Sequence, residues 1–192
     1  MQNKKVSQED LIEWFEDTLK TEGFVTMEHF KERLERGKEV LKEFFAREEK
    51  IKKTPSFIEK EFNFMYGNNR IKGRWDRIDR EEDGAVIIDF KSSDVKEQKE
   101  ADKKAKDSLQ LCVYALAYRE IEGVLPKRVE LYFLESGVMG RAQIDEDDFQ
   151  ELYAKIYEAS SGIRAQDFQA RPKYMSCQYC AFNQICPYTS YK

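Results

Sequence analysis

Glu59, Glu61, Asp76, Asp89 and Lys91 are the residues of this sequence whose types could do chemistry together. Two or three carboxylates can hold a divalent cation that polarises a phosphodiester and activates water, and an ammonium group beside them stabilises the negative charge that develops. That chemistry requires one shared face. In FIEKEFNF, Ile58, Phe62 and Phe64 alternate with Glu59, Glu61 and Asn63; in IKGRWDRID, Ile71, Gly73 and Trp75 alternate with Lys72, Arg74 and Asp76. In AVIIDFK, Val86, Ile88 and Phe90 alternate with Ile87, Asp89 and Lys91. Period two means half-buried strands.

Gly67-Asn68-Asn69 and Glu81-Glu82-Asp83-Gly84 separate the three runs. Such residues tolerate positive φ or bond their own backbone, so both connections read as hairpins. Directly paired residues in an antiparallel hairpin have position numbers of constant sum. If Arg80 meets Ala85, Asp76 meets Asp89; an Asp83-Gly84 turn would instead set Asp76 against Lys91. A Gly67-Asn68 turn sets Asp76 opposite Glu59, and an Asn68-Asn69 turn sets it opposite Glu61, so either glutamate could complete the set. Odd registers would put apolar sets against polar ones. Carboxylates facing one another across strands repel, and a bound cation compensates.

SLQLCVYALAY reads as a helix on which Gln110 and Tyr114, four apart, point to one side while Leu109, Leu111, Val113, Leu116 and Ala117 pack. The preceding run, KSSDVKEQKEADKKAKDS, reads as a mobile charged surface segment whose Lys96, Lys99, Lys103, Lys104 and Lys106 are candidate phosphate contacts. Near the C-terminus, SCQYCAFNQICPY spaces Cys177, Cys180 and Cys186 as C-x2-C-x5-C. Without a secretory signal, that spacing favours a thiolate site over a disulfide framework. Cys112, inside the apolar helix, behaves as a small hydrophobe.

The order of these pieces resembles the RecB-like branch of the PD-(D/E)XK nuclease superfamily. GRWDRID with Asp76, IIDFK with Asp89 and Lys91, and the helix with Gln110 and Tyr114 carry the resemblance. It implies an α/β, restriction-endonuclease-like core: a mixed central sheet with an antiparallel meander, flanked by helices. It also implies a Mg²⁺- or Mn²⁺-dependent deoxyribonuclease, an exonuclease by preference, acting on DNA beside a helicase in repair or recombination. Asp76, Asp89 and one of Glu59 or Glu61 would hold metal; Lys91, Gln110 and Tyr114 would act on the phosphate and the strand. The cysteine tail resembles the AddB type, which implies a [4Fe–4S] cluster on Cys177, Cys180 and Cys186 with an incomplete ligand set.

Two family features are missing. A histidine in a Gly-x-x-x-His setting has no match, since the one histidine is His29 in TMEHFKERLERG, and no cysteine precedes the core. The expectation is the C-terminal nuclease module of a longer, UvrD-like helicase chain. The rival reading is a catalytically inactive DNA-binding or scaffold domain that keeps the fold.

The 192 residues, 41% of them hydrophobic, suffice for one core, so a single domain is expected, with a helical part over 1–52, the core over 56–160 and a cysteine-bearing tail over 161–192. Ser7 and Thr26 read as helix caps, residues 128–134 and 138–144 as strands, and 146–159 as a helix. No apolar run is long enough to span a membrane, and cytoplasmic residence is expected. With 33 basic and 37 acidic residues the net charge is −4, which argues against tight binding through bulk phosphate neutralisation.

Overall fold

The computed structural model describes residues 6–24 and 26–191. Helix α1 (Gln8–Thr18) starts at Ser7, whose hydroxyl accepts from the Asp10 N–H while the Asp10 carboxylate accepts from the Ser7 N–H. Helix α2 (Met27–Ile51) starts at Thr26, whose hydroxyl accepts from the His29 N–H at 3.1 Å. Both caps fall where the sequence places them.

The three alternating runs form an antiparallel meander of β1 (Phe57–Tyr66), β2 (Asn69–Glu81) and β3 (Gly84–Lys91). The sheet continues through β4 (Arg128–Phe133), parallel to β3, and β5 (Val138–Ala142), antiparallel to β4, giving the order β1-β2-β3-β4-β5. A parallel neighbour requires a crossover. Helices α3 (Gln98–Lys106) and α4 (Leu109–Glu122) make it. The result is a mixed α/β sheet flanked by helices, the expected class.

Tyr66 pairs with Asn69 around a Gly67-Asn68 turn, the register that sets Glu59 against Asp76. Arg80 pairs with Ala85 and Glu81 with Gly84, so the turn is Glu82-Asp83 and the ladder leads towards Asp76 opposite Asp89. The Asp83-Gly84 and Asn68-Asn69 alternatives are not formed.

Strict alternation nevertheless fails at one rung. Trp75 faces α4, donating from its indole to the Tyr114 carbonyl at 3.2 Å, yet Arg77 and Asp79 face α2, where Arg77 meets Glu48 at 2.7 Å. On the partner strand Glu59 takes φ +52°. Phe57, Lys60 and Phe62 thereby share the α4 side, with the Lys60 ammonium 4.0 Å over the Phe57 ring. Ile58, expected in the core, is 66% exposed because the twist at Glu59 turns it outward.

Gly73 sits beneath the Phe62 ring, which lies tilted against Trp75 at 4.6 Å. A methyl at position 73 would collide with that ring. Gly73→Ala is expected to cost about 1–3 kcal/mol in urea unfolding, through displacement of an aromatic cluster that has no spare volume.

The charged run before α4 is not a loose segment. Residues 98–106 form α3, which buries Ala101 and Ala105, four apart, and packs on β5, where Gly140 lets the strand approach the Ala101 carbonyl. Lys106 binds Asp148 at 2.7 Å and Lys104 binds Glu100 at 3.1 Å. Two alanines on one face are enough to seat a helix whose other faces are solvated.

On the α2 side, Val86, Ile88 and Tyr132 pack with Phe44, Phe90 and Met139. Beside them lies an ionic lattice in which Arg77, Asp79 and Glu130 are buried. Arg77 grips Asp79 with two bonds of 2.8 and 3.0 Å, and Glu130 accepts from Arg128 at 2.6 Å. Glu81 accepts from Lys53, Lys127 and Arg128, and these three cations hold its carboxyl well below the usual range.

The chain divides into two compact units, residues 1–152 and 153–192, the boundary lying within α5 (Phe149–Arg164). The second unit carries a short helix α6 (Tyr174–Gln178). No helix among the described residues is long and apolar enough to cross a membrane.

Candidate active site

Helix α4 is locked in place before it contributes chemistry. Ser108 caps it, accepting from the Leu111 N–H at 3.2 Å, and Gly123 ends it at φ +78°. The Trp75 indole bonds the Tyr114 carbonyl, and Phe62 packs edge-on against the Tyr114 ring at 5.8 Å. These contacts fix the turn that carries Gln110 and Tyr114 over the end of β3.

Gln110 is the joint of the site. Its amide nitrogen donates to Asp89 Oδ1 at 2.8 Å and to the Tyr114 hydroxyl at 2.9 Å, and its amide oxygen accepts from Lys91 Nζ at 2.7 Å. A reversed amide would set donor against ammonium and acceptor against carboxylate, so this orientation is the one that satisfies both neighbours. Four of the residues singled out in the sequence, Asp89, Lys91, Gln110 and Tyr114, therefore form one hydrogen-bonded cluster.

Asp76 joins them from the neighbouring strand. Just where β2 and β3 cease to pair, its Oδ2 accepts from the Phe90 N–H at 3.0 Å. A side chain thus replaces the next ladder bond, which turns this carboxylate towards the Asp89 end of β3.

Asp89 is 2% exposed. Burial pushes its carboxyl above the ordinary aspartate range; Lys91 opposes the shift and the charge of Asp76 adds to it. Lys91 Nζ lies 2.6 Å from Oδ2, an ion pair without the alignment of a hydrogen bond, so Oδ2 is buried with no aligned donor. Tyr114 is likewise pushed up, first by burial and then by the nearby carboxylates, with Gln110 and Arg74 opposing.

The sign of the Asp89 shift makes a prediction. Between the usual value of 3.8 and the higher folded value, the native chain keeps a proton that the unfolded chain has lost. Its contribution to stability is complete below the unfolded value and disappears as pH rises through the folded one. Urea titrations in chelator should show wild type losing stability relative to Asp89→Asn from pH ~3 to neutrality. A constant difference across that range would contradict the shift.

Glu59 and Glu61 are not brought to the pair. The left-handed backbone at Glu59 directs its carboxylate to Arg74, 2.7 Å away, and Glu61 lies between Lys60 and Phe62 in β1 and so projects from the opposite side of the sheet, across from Arg74. Among the described residues no group of three or more His, Cys, Asp or Glu side chains is placed to hold a metal. His29 lies in the first turn of α2, its ring against Phe24.

In the second unit, Cys177, Cys180 and Cys186 are free thiols, and they do not form the three-donor group expected of an iron–sulfur site. Hydrogen bonds with Ser190 hold the Cys177 thiol below its usual range. Cys112 is buried in α4, as its apolar setting predicts. Trp75, which orients the α4 helix, was not singled out in the sequence; its alternation with Gly73, directly before Asp76 in the same strand, was the available signal.

The family model of the PD-(D/E)XK nuclease superfamily matches residues 1–187. This chain belongs to that superfamily. Its Asp89-Phe90-Lys91 spells the (D/E)XK element, and Asp76 stands where the meander brings an aspartate to it. The mixed sheet with flanking helices is the restriction-endonuclease-like architecture of a PD-(D/E)XK protein. Among solved structures, the crystal structure of SSO0001 matches over 94% of this chain and 93% of its own, with 17% identity and a TM-score of 0.47. No curated protein matches the sequence.

PD-(D/E)XK nucleases typically use divalent metals such as Mg²⁺. The residues here fit such an ion. Mg²⁺ is commonly held by one or two carboxylates, its remaining positions going to water and substrate phosphate, so a two-aspartate site suffices. The buried Asp89 Oδ2 without an aligned donor offers the electron pair that a hard cation needs.

Proposed function

We propose that this PD-(D/E)XK chain is a Mg²⁺- or Mn²⁺-dependent deoxyribonuclease that hydrolyses DNA phosphodiesters, with Asp76 and Asp89 holding the ion. The observation that carries the reading is the Gln110 amide, which ties Asp89, Lys91 and Tyr114 into one cluster around a buried carboxylate oxygen lacking an aligned donor. A bound divalent ion supplies Lewis acidity and a water of lowered pKa.

The side chains supply the rest. The Lys91 ammonium donates one proton to Gln110 and lies in ion-pair contact with Asp89, which leaves a proton for a phosphate oxygen or the attacking water. Gln110, exposed at the helix start, keeps that ammonium oriented. Tyr114 closes the buried side of the cluster and excludes water from it.

The finer assignment is a RecB-like exonuclease working beside a helicase, either the remainder of a longer chain or a separate partner, in DNA repair or recombination. Its support is the order Gly73-x-x-Asp76, Asp89-x-Lys91 and Gln110-x-x-x-Tyr114. The second reading, an inactive DNA-binding or scaffold domain, is favoured by the absence of a third metal donor among the described residues.

One assay separates them. Wild type should degrade single- or double-stranded DNA in Mg²⁺ and not in chelator, and Asp89→Ala should lose at least ~100-fold of that rate. Equal rates in wild type and Asp89→Ala would leave the scaffold reading.

A further inference from the structure

The outer face of the β1–β2 hairpin, beyond the rung where alternation breaks, is absorbed neither by the core nor by the aspartate cluster. Glu61, Asn63 and Met65 pair there with Arg74, Lys72 and Arg70. All six are exposed. All but Met65 line an open groove of about 700 Å³, together with Phe62 and Gly73.

Three cations follow one another at every second residue of one strand. At ~3.4 Å per residue their side chains repeat every ~6.8 Å, close to the separation of successive phosphates along a nucleic-acid strand. Arg70 bonds Asn63 at 3.3 Å and Arg74 bonds Glu59 at 2.7 Å, while Lys72 has no partner among the described residues. With Glu59 and Glu61 beside them, the three cations leave a small net positive charge here in a chain of net charge −4. The row lies on the other side of the sheet from the aspartates, but its Arg74 end is close enough for its charge to act on the Tyr114 hydroxyl of the cluster.

We infer that Arg70, Lys72 and Arg74 form a track that binds the backbone of a single DNA strand and delivers it to the Asp76–Asp89 site. A row one side chain wide follows one sugar-phosphate backbone, which favours a single strand over a duplex. Met65, 59% exposed beside Arg70, adds apolar surface for an unstacked base. The inference deepens the proposed nuclease function by naming how its substrate is held.

The test reads binding rather than cleavage, so its failure is distinguishable from failure of the nuclease reading. Fluorescence anisotropy of a labelled oligothymidylate of about 20 nucleotides is measured in chelator against salt concentration. Each phosphate contact contributes ~0.7 to the slope of log affinity against log salt for single strands, so Arg70→Ser/Lys72→Ser/Arg74→Ser should lower the slope by ~2 and weaken binding roughly tenfold to 100-fold. Lys31→Ser/Lys42→Ser/Lys50→Ser, an equal charge change on exposed positions of α2, should not.

If the triple variant does not fold, Lys72→Ser alone removes no ion pair or hydrogen bond among the described residues and should lower the slope by ~0.7. An unchanged slope in the track variants would overturn the inference, as would an equal loss in the α2 control. Tighter binding of a duplex with the same dependence on the three residues would overturn the single-strand assignment.

Discussion

Lys91→Ala is expected to slow Mg²⁺-dependent DNA cleavage about 100- to 1000-fold at saturating metal and DNA, the loss seen when one preorganised donor to a developing negative charge is removed. The ammonium is held by Asp89 at 2.6 Å and Gln110 at 2.7 Å, so it requires no reorganisation when charge grows on the phosphate. Its side chain is about one-third exposed, which places it at the mouth of the cluster rather than within it. Lys91→Arg should fail to restore the rate, because a planar fork cannot direct three protons as an ammonium does. Single-turnover cleavage with a circular-dichroism control for folding decides the matter. A Lys91→Ala rate within a few-fold of wild type would remove this residue from the mechanism.

The second large effect lies on the opposite side of the sheet. Arg77→Ala should destabilise the chain by about 3–5 kcal/mol, because it leaves the Asp79 carboxylate buried and short of its main counter-charge. Asp79 is 2% exposed and takes two of its bonds from Arg77; Lys53, at 3.5 Å, is a poor substitute. The same guanidinium ties α2 to the sheet through Glu48, so the variant also loosens the helix. Removing both charges, as Arg77→Met/Asp79→Leu, should recover most of the loss, since packed apolar side chains replace a buried pair at little cost. Urea unfolding of the single and double variants measures both claims. A single variant within ~1 kcal/mol of wild type would show the lattice to be dispensable.

What could be read from the residues alone was what depends on short-range periodicity. Period two located all three strands of the meander, and constant-sum pairing reduced their registers to a few, one of which forms. A spacing of four put Gln110 and Tyr114 on one side of a helix, and they do share a hydrogen bond. The glutamates show the limit. Glu59 and Glu61 looked equivalent because alternation was assumed to run unbroken, and only the backbone reveals that Glu59 adopts a left-handed conformation and gives its charge to Arg74. The charged run before α4 hid a helix because Ala101 and Ala105 are small, so their packing on β5 left little mark against so many lysines. The Arg77–Asp79–Glu48 lattice depends on residues far apart in the chain and has no local signature at all.

The rung at Glu59 and Asp76 also bears on how this molecule could be altered. Beyond it the two strands run on to the Gly67-Asn68 tip as a ribbon whose base is seated on α4 through Phe62 and Trp75. Extra residues spliced in at that tip, one for each strand in matched pairs, would lengthen the ribbon while every side chain below kept its bearing. The tip is therefore a place where reach towards a substrate can be adjusted independently of the chemistry.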